Sequence, residues 1–168
     1  MEAIQIPPVS FSPAFTSLVH HPLKFRLFLL KNLPAAFFSG LKVHTADGAR
    51  AVVSVPYRWT TRNPFRSIYF ACLGMAAEMS TGILAMGYTY RHNPSISILV
   101  TAIEGKFYKK ASGRIQFVCE EGQKISATVD QCLLSMEPLT CRALSSGFNE
   151  QSELVAEFWI TWSFRVRK

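Results

Sequence analysis

The sequence predicts an α+β protein in which a curled antiparallel sheet of five or six strands wraps around one long apolar helix. Segments of alternating apolar and polar residues, which are typical of half-buried strands, flank the stretch 67–88 on both sides. Glu78 is the only charged residue within that stretch, as expected of a helix that protein covers all round. Asp47-Gly48 separates the first two alternating segments and is typical of a hairpin turn.

The N-terminal part is expected to extend this core rather than to belong to it. Residues 1–15 are rich in proline and serine and predict an extended arm, and Leu23–Leu33 predicts a short amphipathic helix. We assign residues 1–40 to this arm and helix, and residues 41–168 to a single domain. Docking of the helix on the protein's own core is the preferred interpretation. Its cations leave membrane-surface binding open as an alternative: Lys24, Arg26 and Lys31.

The elements of the domain follow from periodicity and turn residues. Ser67 is expected at the entry of the long helix, because serine is a common N-cap. In the strand that follows this helix, Ile96, Ile98, Val100 and Ala102 are expected on one face. The expected order is a hairpin over 41–59, the long helix from Ser67 to Tyr88, strands over 95–110 and 114–121, a helix over 124–136, and closing strands over 140–148 and 153–166.

Composition limits the classes of function. Hydrophobic residues make up 49% and charged residues 17% of the chain, which excludes a disordered protein. The formal net charge of +7 favours an anionic partner, whether a nucleic acid, a membrane surface or a phosphorylated small molecule. We expect no nucleic-acid binding, because the aromatic residues alternate on strand faces that the helix must cover and no RNP-like, zinc-finger or helix-turn-helix pattern occurs.

Cysteine usage and hydropathy bear on location. The four cysteines lie in apolar runs without C-x-x-C spacing, which predicts buried free thiols, no metal site and a cytoplasmic protein. The first residues lack the basic segment and apolar core of a signal peptide. The apolar helix is long enough to cross a bilayer. Glu78 near its centre would cost about 2.5–3.5 kcal/mol there, so we expect no integral membrane segment.

Glu78 is the first candidate for chemistry. A carboxylate on a buried helix must be paired, hydrogen-bonded, protonated or exposed to a wet cleft. Desolvation would raise its pKa and make it a candidate general base or nucleophile. The alternative is a structural dimerisation module in which Glu78 pairs with Arg66 or Arg91.

The residues around the start of the helix resemble a known signature. NPFRSIYFACLGMAAE is similar to the motif of hotdog-fold acyl-CoA thioesterases of the phenylacetyl-CoA-degradation type, N-x-x-G-x-x-H-G-G with an acidic residue nine positions after the histidine. Asn63 matches the asparagine and Glu78 falls at the acidic position. Three parts of the motif are replaced: the glycine by Arg66, the histidine by Tyr69 and the Gly-Gly pair by Phe70-Ala71. Downstream, KFYKKASG resembles the family element F-x-R-P-x-x-G, with Lys109 at the arginine.

The resemblance implies a fold, an activity and an assembly. It covers about residues 40–168 and implies the hotdog fold. The implied substrate is an acyl-CoA or another acyl thioester, with coenzyme A entering as part of the substrate and no separate cofactor. The implied assembly is a homodimer, or a dimer of dimers, with active sites at the dimer interface.

Roles follow for individual residues. Glu78 would activate water or attack the thioester carbonyl, while Asn63 positions water or substrate and Tyr69 donates its hydroxyl. Nine helical residues turn through about 900° and rise about 13.5 Å, so Glu78 must come from a partner chain to meet Tyr69. Amides near Phe70 and Ala71 would stabilise the developing oxyanion. The expected substrate-binding residues are Arg66, Ser67, Phe70, Ala71, Lys109 and Lys110.

A second function remains open on the same fold. The chain could be a non-catalytic protein that binds acyl chains or acyl-CoA. Tyr69 in place of histidine and Phe70 in place of glycine favour this alternative.

Overall fold

Residues 8–167 are described by the computed structural model, and they contain one six-stranded sheet and five helices. All pairings in the sheet are antiparallel, in the order β1-β2-β4-β5-β6-β3. The strands are β1 (Lys42–Ala46), β2 (Ala51–Val55), β3 (Ile96–Phe107), β4 (Ile115–Cys119), β5 (Leu139–Phe148) and β6 (Leu154–Val166). The helices are α1 (Pro13–His20), α2 (Pro22–Asn32), α3 (Pro34–Ser39), α4 (Phe70–Thr89) and α5 (Gly122–Ser135).

The sheet wraps around α4, and the predicted hotdog architecture is confirmed. Alternate residues of β6 from Phe158 to Val166 are buried on the face towards the helix, as the sequence pattern predicts. Helix α4 packs against β2, β4, β5 and β6. It is long and apolar enough to cross a membrane by length and composition, but here the sheet and α5 enclose most of it.

Polar groups inside this core are paired with each other. The hydroxyls of Ser80 and Ser145 lie 2.7 Å apart between α4 and β5. The indole N–H of Trp162 donates to the Thr81 hydroxyl at 2.9 Å. These contacts fix β5 and β6 against α4, because breaking either would leave a buried polar group without a partner.

The four cysteines are buried free thiols, as predicted. Desolvation raises the pKa of Cys119 to about 12 and also raises the pKa of Cys72 and Cys141. These thiols therefore stay protonated at neutral pH and serve as small apolar groups in the core.

Two details of the domain differ from the sequence prediction. Helix α4 begins at Phe70 rather than Ser67, and its N-cap residue, Tyr69, makes no side-chain capping bond. In β3 the register shifts between Val100 and Ala102, so that Ile103 rather than Ala102 lies opposite the inward-facing Ile160. A bulge of this kind inserts one residue and exchanges the two faces of the strand beyond it.

The N-terminal part contains more helix than predicted. The expected arm ends earlier, because α1 begins at Pro13 with Ser12 as its N-cap, and residues 1–7 of that arm lie outside the described residues. Three helices precede the sheet instead of one, each with proline in its first turn. The arm is fixed to the domain by two bonds: Val9 N–H to Asp130 Oδ1 at 2.6 Å and Ser12 N–H to the Gly87 carbonyl at 2.9 Å.

Strand β3 forms one edge of the sheet and is largely uncovered. Among residues 8–167 only β6 pairs with it, and every residue from Thr101 to Phe107 is exposed. Large apolar side chains are among the exposed residues of this strand: Leu99, Ile103 and Phe107. An apolar strand edge twelve residues long is a natural surface for pairing with another strand.

Candidate functional site

The loop that leads into α4 is organised by Asn63. Its side-chain oxygen accepts hydrogen bonds from the Phe65 N–H at 3.0 Å, the Ser67 N–H at 3.2 Å and the Ser67 hydroxyl at 3.1 Å. Its own N–H donates to the Ser67 carbonyl at 2.9 Å. An asparagine oxygen with three donors is occupied by the loop, so Asn63 and Ser67 shape the approach to α4.

Arg66 holds the position at which the signature has glycine. Its φ is 59°, in the left-handed region that glycine adopts without cost. The backbone at this position therefore adopts a conformation that favours glycine, although the residue is arginine. The Arg66 side chain is exposed and does not line the pocket described below.

The first amides of α4 are free. Tyr69 N–H donates to the Thr61 carbonyl at 2.7 Å, and Cys72 N–H donates to the Tyr69 carbonyl at 2.9 Å. Among the described residues, the N–H groups of Phe70 and Ala71 have no acceptor. Unpaired amides at the start of a helix of 20 residues favour an anion or a developing oxyanion.

These amides lie beside a pocket of about 470 Å³. Its walls come from the loop before α4, the first turn of α4, and the segment that follows β3. Apolar side chains dominate the lining, and Tyr69 and Phe70 meet edge to face with ring centroids 4.8 Å apart. An apolar pocket with a few polar groups at one end is the usual form of a small-molecule site.

Two lysines stand on the rim of this pocket. The Lys109 ammonium pairs with Glu153 at 2.5 Å, and this bond holds the pKa of the Glu153 carboxyl below its usual range. Lys110 forms no ion pair among the described residues. The rim thus offers one cation that a carboxylate already neutralises and one that is available to an anionic ligand.

Glu78 lies elsewhere, two turns further along α4. It borders a small cleft of about 60 Å³ between α4, α2 and Trp162. A Cβ at Gly82 would lie 3.1 Å from the Trp162 ring and 3.3 Å from Glu78 Oε1. The absence of a side chain at Gly82 therefore leaves space for the Trp162 ring and the Glu78 carboxylate. The neighbours from α2 and from its C-cap residue are apolar: Phe25, Phe28, Leu29 and, at the C-cap, Leu33.

The Glu78 carboxylate has no partner within residues 8–167. It makes no side-chain hydrogen bond and no ion pair there, so within one chain it does not pair with Arg66 or Arg91. Burial among apolar groups raises its pKa above the ordinary value. A partly buried carboxylate with a raised pKa binds a proton more readily than an exposed glutamate does, which makes it a candidate general base.

The structure brings together six of the nine residues that the sequence singled out. Arg66 and Ala71 adjoin the pocket without lining it, and Glu78 is remote from it. The six that line the pocket are Asn63, Ser67, Tyr69, Phe70, Lys109 and Lys110. The sequence pattern did not single out Leu73 and Phe107 in the lining or the helix α2 beside Glu78. The apolar residues on both faces of α2 were the signal for the latter.

Residues 27–143 match a family model described as Domain of unknown function (DUF4442). Among curated proteins no match was found.

Several solved structures share the fold. A protein of unknown function from Pseudomonas aeruginosa, titled a probable thioesterase, is 18% identical with a TM-score of 0.73, and the match covers 87% of this chain and 97% of that one. The PaaI protein from the phenylacetic acid degradation operon of E. coli is 15% identical with a TM-score of 0.65, covering 94% and 97%. A thioesterase from Haemophilus influenzae is 12% identical with a TM-score of 0.63, covering 83% and 88%.

The family match extends over more than half of the chain, and the structural matches extend over most of it. The chain therefore belongs to the family described as Domain of unknown function (DUF4442), and its fold is the hotdog fold.

Proposed function

We propose that this protein hydrolyses acyl thioesters, such as acyl-CoA, in an active site that two copies of the chain build together. The observation that carries the proposal is the pair of unpaired amides of Phe70 and Ala71 beside an apolar pocket with Lys110 on its rim. The amides would stabilise the oxyanion that forms when water attacks the thioester carbonyl. The thioesterase titles of several proteins with the same fold support the same reaction.

In this proposal Glu78 is the general base. It would take a proton from water as the water oxygen attacks the carbonyl carbon. The tetrahedral intermediate would then collapse with cleavage of the C–S bond, and the protonated Glu78 would return its proton to the leaving thiolate, which departs as the thiol. Its raised pKa and unpaired carboxylate support this role. Asn63 would act as a positioning residue that holds the loop in front of α4.

The edge strand β3 supports the proposed dimer. Val100 of β3 lies opposite Trp162, whose ring neighbours Glu78, whereas Phe107 at the other end of β3 lines the pocket. A two-fold axis through the middle of β3, near Ile103, would pair this strand with its copy and exchange the two ends. The partner's Glu78 would then reach the level of the pocket, while the exposed apolar residues of β3 become covered.

The oxyanion role can be tested at Phe70, which is the first residue of α4. Tyr69 has φ −62° and ψ 134°, the extended conformation that a residue before proline requires. Phe70→Pro therefore removes the N–H at a position where helices accept proline. Turnover of acyl-CoA is expected to fall by about 10²–10³-fold relative to Phe70→Ala, which lacks the ring but keeps the amide. Equal turnover by the two variants would contradict the role of this amide.

The base is tested by thiol release from short, medium, long and aromatic acyl-CoAs. Glu78→Gln keeps the size of the side chain and removes the proton acceptor, so turnover is expected to fall by about 10²–10⁴-fold. Binding of acyl-CoA without turnover in the parent protein would instead support the non-catalytic alternative. The phenyl ring of Phe70 in the pocket and the occupied amide of Asn63 are the observations that favour that alternative.

Mixing two inactive variants tests whether the site is shared. A dimer of one Glu78→Gln chain and one Phe70→Pro chain contains one site with both groups intact if Glu78 acts across the interface. An equal mixture after subunit exchange should regain about a quarter of the parent activity, because half of the dimers are mixed and half of their sites are intact. No recovery, with mixed dimers present, would assign both groups to one chain.

A further inference from the structure

Helix α2 is apolar on two opposite faces. Phe25 and Leu29 are buried against the protein. At 100° per residue, Leu23, Leu27 and Leu30 fall within an arc of about 60° on the opposite side. These three residues form the leucine stripe, in which Leu23 is 71% and Leu27 65% exposed. A helix with a second apolar face normally has something covering that face.

Cations border the leucine stripe on both sides. Lys24 and Lys31 project about 70–90° from its centre in one direction, and Arg26 projects about 70° in the other. All three are exposed, and among residues 8–167 none of them forms an ion pair. Long cationic side chains beside an apolar stripe can bury their stems and keep their charges at a polar surface.

The cationic surface continues beside α2. A cleft of about 460 Å³ lies between α1, α2, α3 and β1, and Arg26 stands on its wall. Lys42 and Arg58 line the same cleft, and no carboxylate lines it. From residue 8 onwards, the first acidic residue of the chain is Asp47. Residues 8–46 therefore contribute positive charge and no acidic residue to the surface around α2.

This charge pattern decides between the possible occupants of the face. A second copy of the chain would bring the same cations to a two-fold interface and would repel. An anionic bilayer offers apolar chains to the leucine stripe and phosphate groups to the cations around it. We propose that the leucine stripe and the cations around it dock α2 in the plane of an anionic phospholipid membrane surface. This proposal does not depend on the hydrolysis of thioesters.

Co-sedimentation of the full chain with vesicles tests the proposal. Binding is expected with vesicles of phosphatidylcholine containing about one third phosphatidylglycerol, and not with phosphatidylcholine alone. It should weaken strongly when salt is raised from about 0.15 M to about 1 M, because screening shortens the reach of the cations. No binding to the anionic vesicles would overturn the proposal.

Two double variants separate the contribution of the cations beside the leucine stripe from a general effect of net charge. Lys24→Gln with Lys31→Gln should weaken binding about 30-fold, since each cation near such a surface contributes roughly fivefold. Arg165→Gln with Arg167→Gln removes the same charge from exposed positions at the end of β6 and should change binding less than about threefold.

Leucine replacements test the apolar contact. Leu27→Ser should weaken binding about tenfold, whereas Leu134→Ser in α5, where leucine is 62% exposed, should leave it unchanged. Thermal unfolding of each variant reports that it is folded. Equal effects of the two leucine replacements would overturn the proposal. So would an oligomer, measured by sedimentation without vesicles, that Leu27→Ser dissociates.

Discussion

Glu78 stores unfavourable free energy in the folded protein, because its carboxylate is desolvated and lacks a partner among the described residues. Desolvation raises the pKa of this carboxyl, so the folded chain binds its proton more tightly than the unfolded chain does. Stability therefore decreases as pH rises from the ordinary pKa of a glutamate through the raised one. The charged form that could serve as a base is thus the form that costs stability.

This linkage predicts that Glu78→Gln stabilises the protein at neutral pH. The amide carries no charge to desolvate, so the free energy of unfolding should rise at pH 7 and change little at pH 4. Denaturant unfolding at the two pH values measures the difference. If both pH values gave the same change, the carboxylate would not be strained by burial.

The backbone at Arg66 predicts a second change in stability. A residue with a Cβ at φ 59° costs about 1–2 kcal/mol of stability relative to glycine. Glycine in turn makes the unfolded chain more flexible, which offsets up to about 1 kcal/mol of that difference. Arg66→Gly should therefore raise stability by about 0.5–1 kcal/mol, measured by thermal unfolding. Arg66→Ala keeps the Cβ and is the control, which should show no gain.

For individual residues, the sequence predicted which residues lie at the candidate site better than it predicted what each of them does. Glu78 could be placed because a lone charge in an apolar stretch demands an explanation. The role of Asn63 could not be predicted, since it depends on three donors from the loop that converge on one oxygen. The same holds for Arg66, where a positive φ leaves no mark in the sequence once the glycine has been replaced.

At the scale of elements, close approaches determine where the N-terminal arm docks. A Cβ at Gly87 would collide with the Phe11 ring, so the absence of a side chain at Gly87 leaves space on α4 in which the arm packs. Apolar composition predicts α4 well and the alternation of apolar residues predicts β6 well, because protein covers both over most of their length. Alternation failed at the bulge in β3, where one additional residue exchanges the faces.

The packing of Phe11 against Gly87 predicts that alanine substitutions at two glycines of α4 have opposite effects on stability. Gly87→Ala should destabilise the protein by about 1–3 kcal/mol, because the new methyl group displaces the ring. Gly74→Ala meets its nearest neighbour, a Phe158 ring carbon, at an ordinary 3.6 Å and should stabilise the helix by about 0.5–1 kcal/mol. Chemical unfolding of both variants provides the comparison. Equal changes in stability would mean that Phe11 does not pack against Gly87 in solution.

For the whole molecule, the proposed dimer gives the edge strand β3 a partner. Ile103→Lys places a charge in the middle of the expected interface, so the dissociation constant should rise by at least about 100-fold. Sedimentation velocity over a range of concentrations measures it. Thioester hydrolysis should be lost in parallel, because the monomer lacks the partner's carboxylate. A parent protein that is monomeric at all concentrations would exclude the shared site.

The strand order has a consequence for biosynthesis. Strand β3 is made before β4 and β5, yet its neighbour in the sheet is β6, the last strand along the chain. While the ribosome is still adding residues 108–153, both edges of β3 are open, and its apolar residues have neither β6 nor a second chain beside them. Nascent chains of this length therefore expose a template for aggregation. A chaperone that binds apolar strands of nascent chains would act during this interval and be released when β6 pairs with β3.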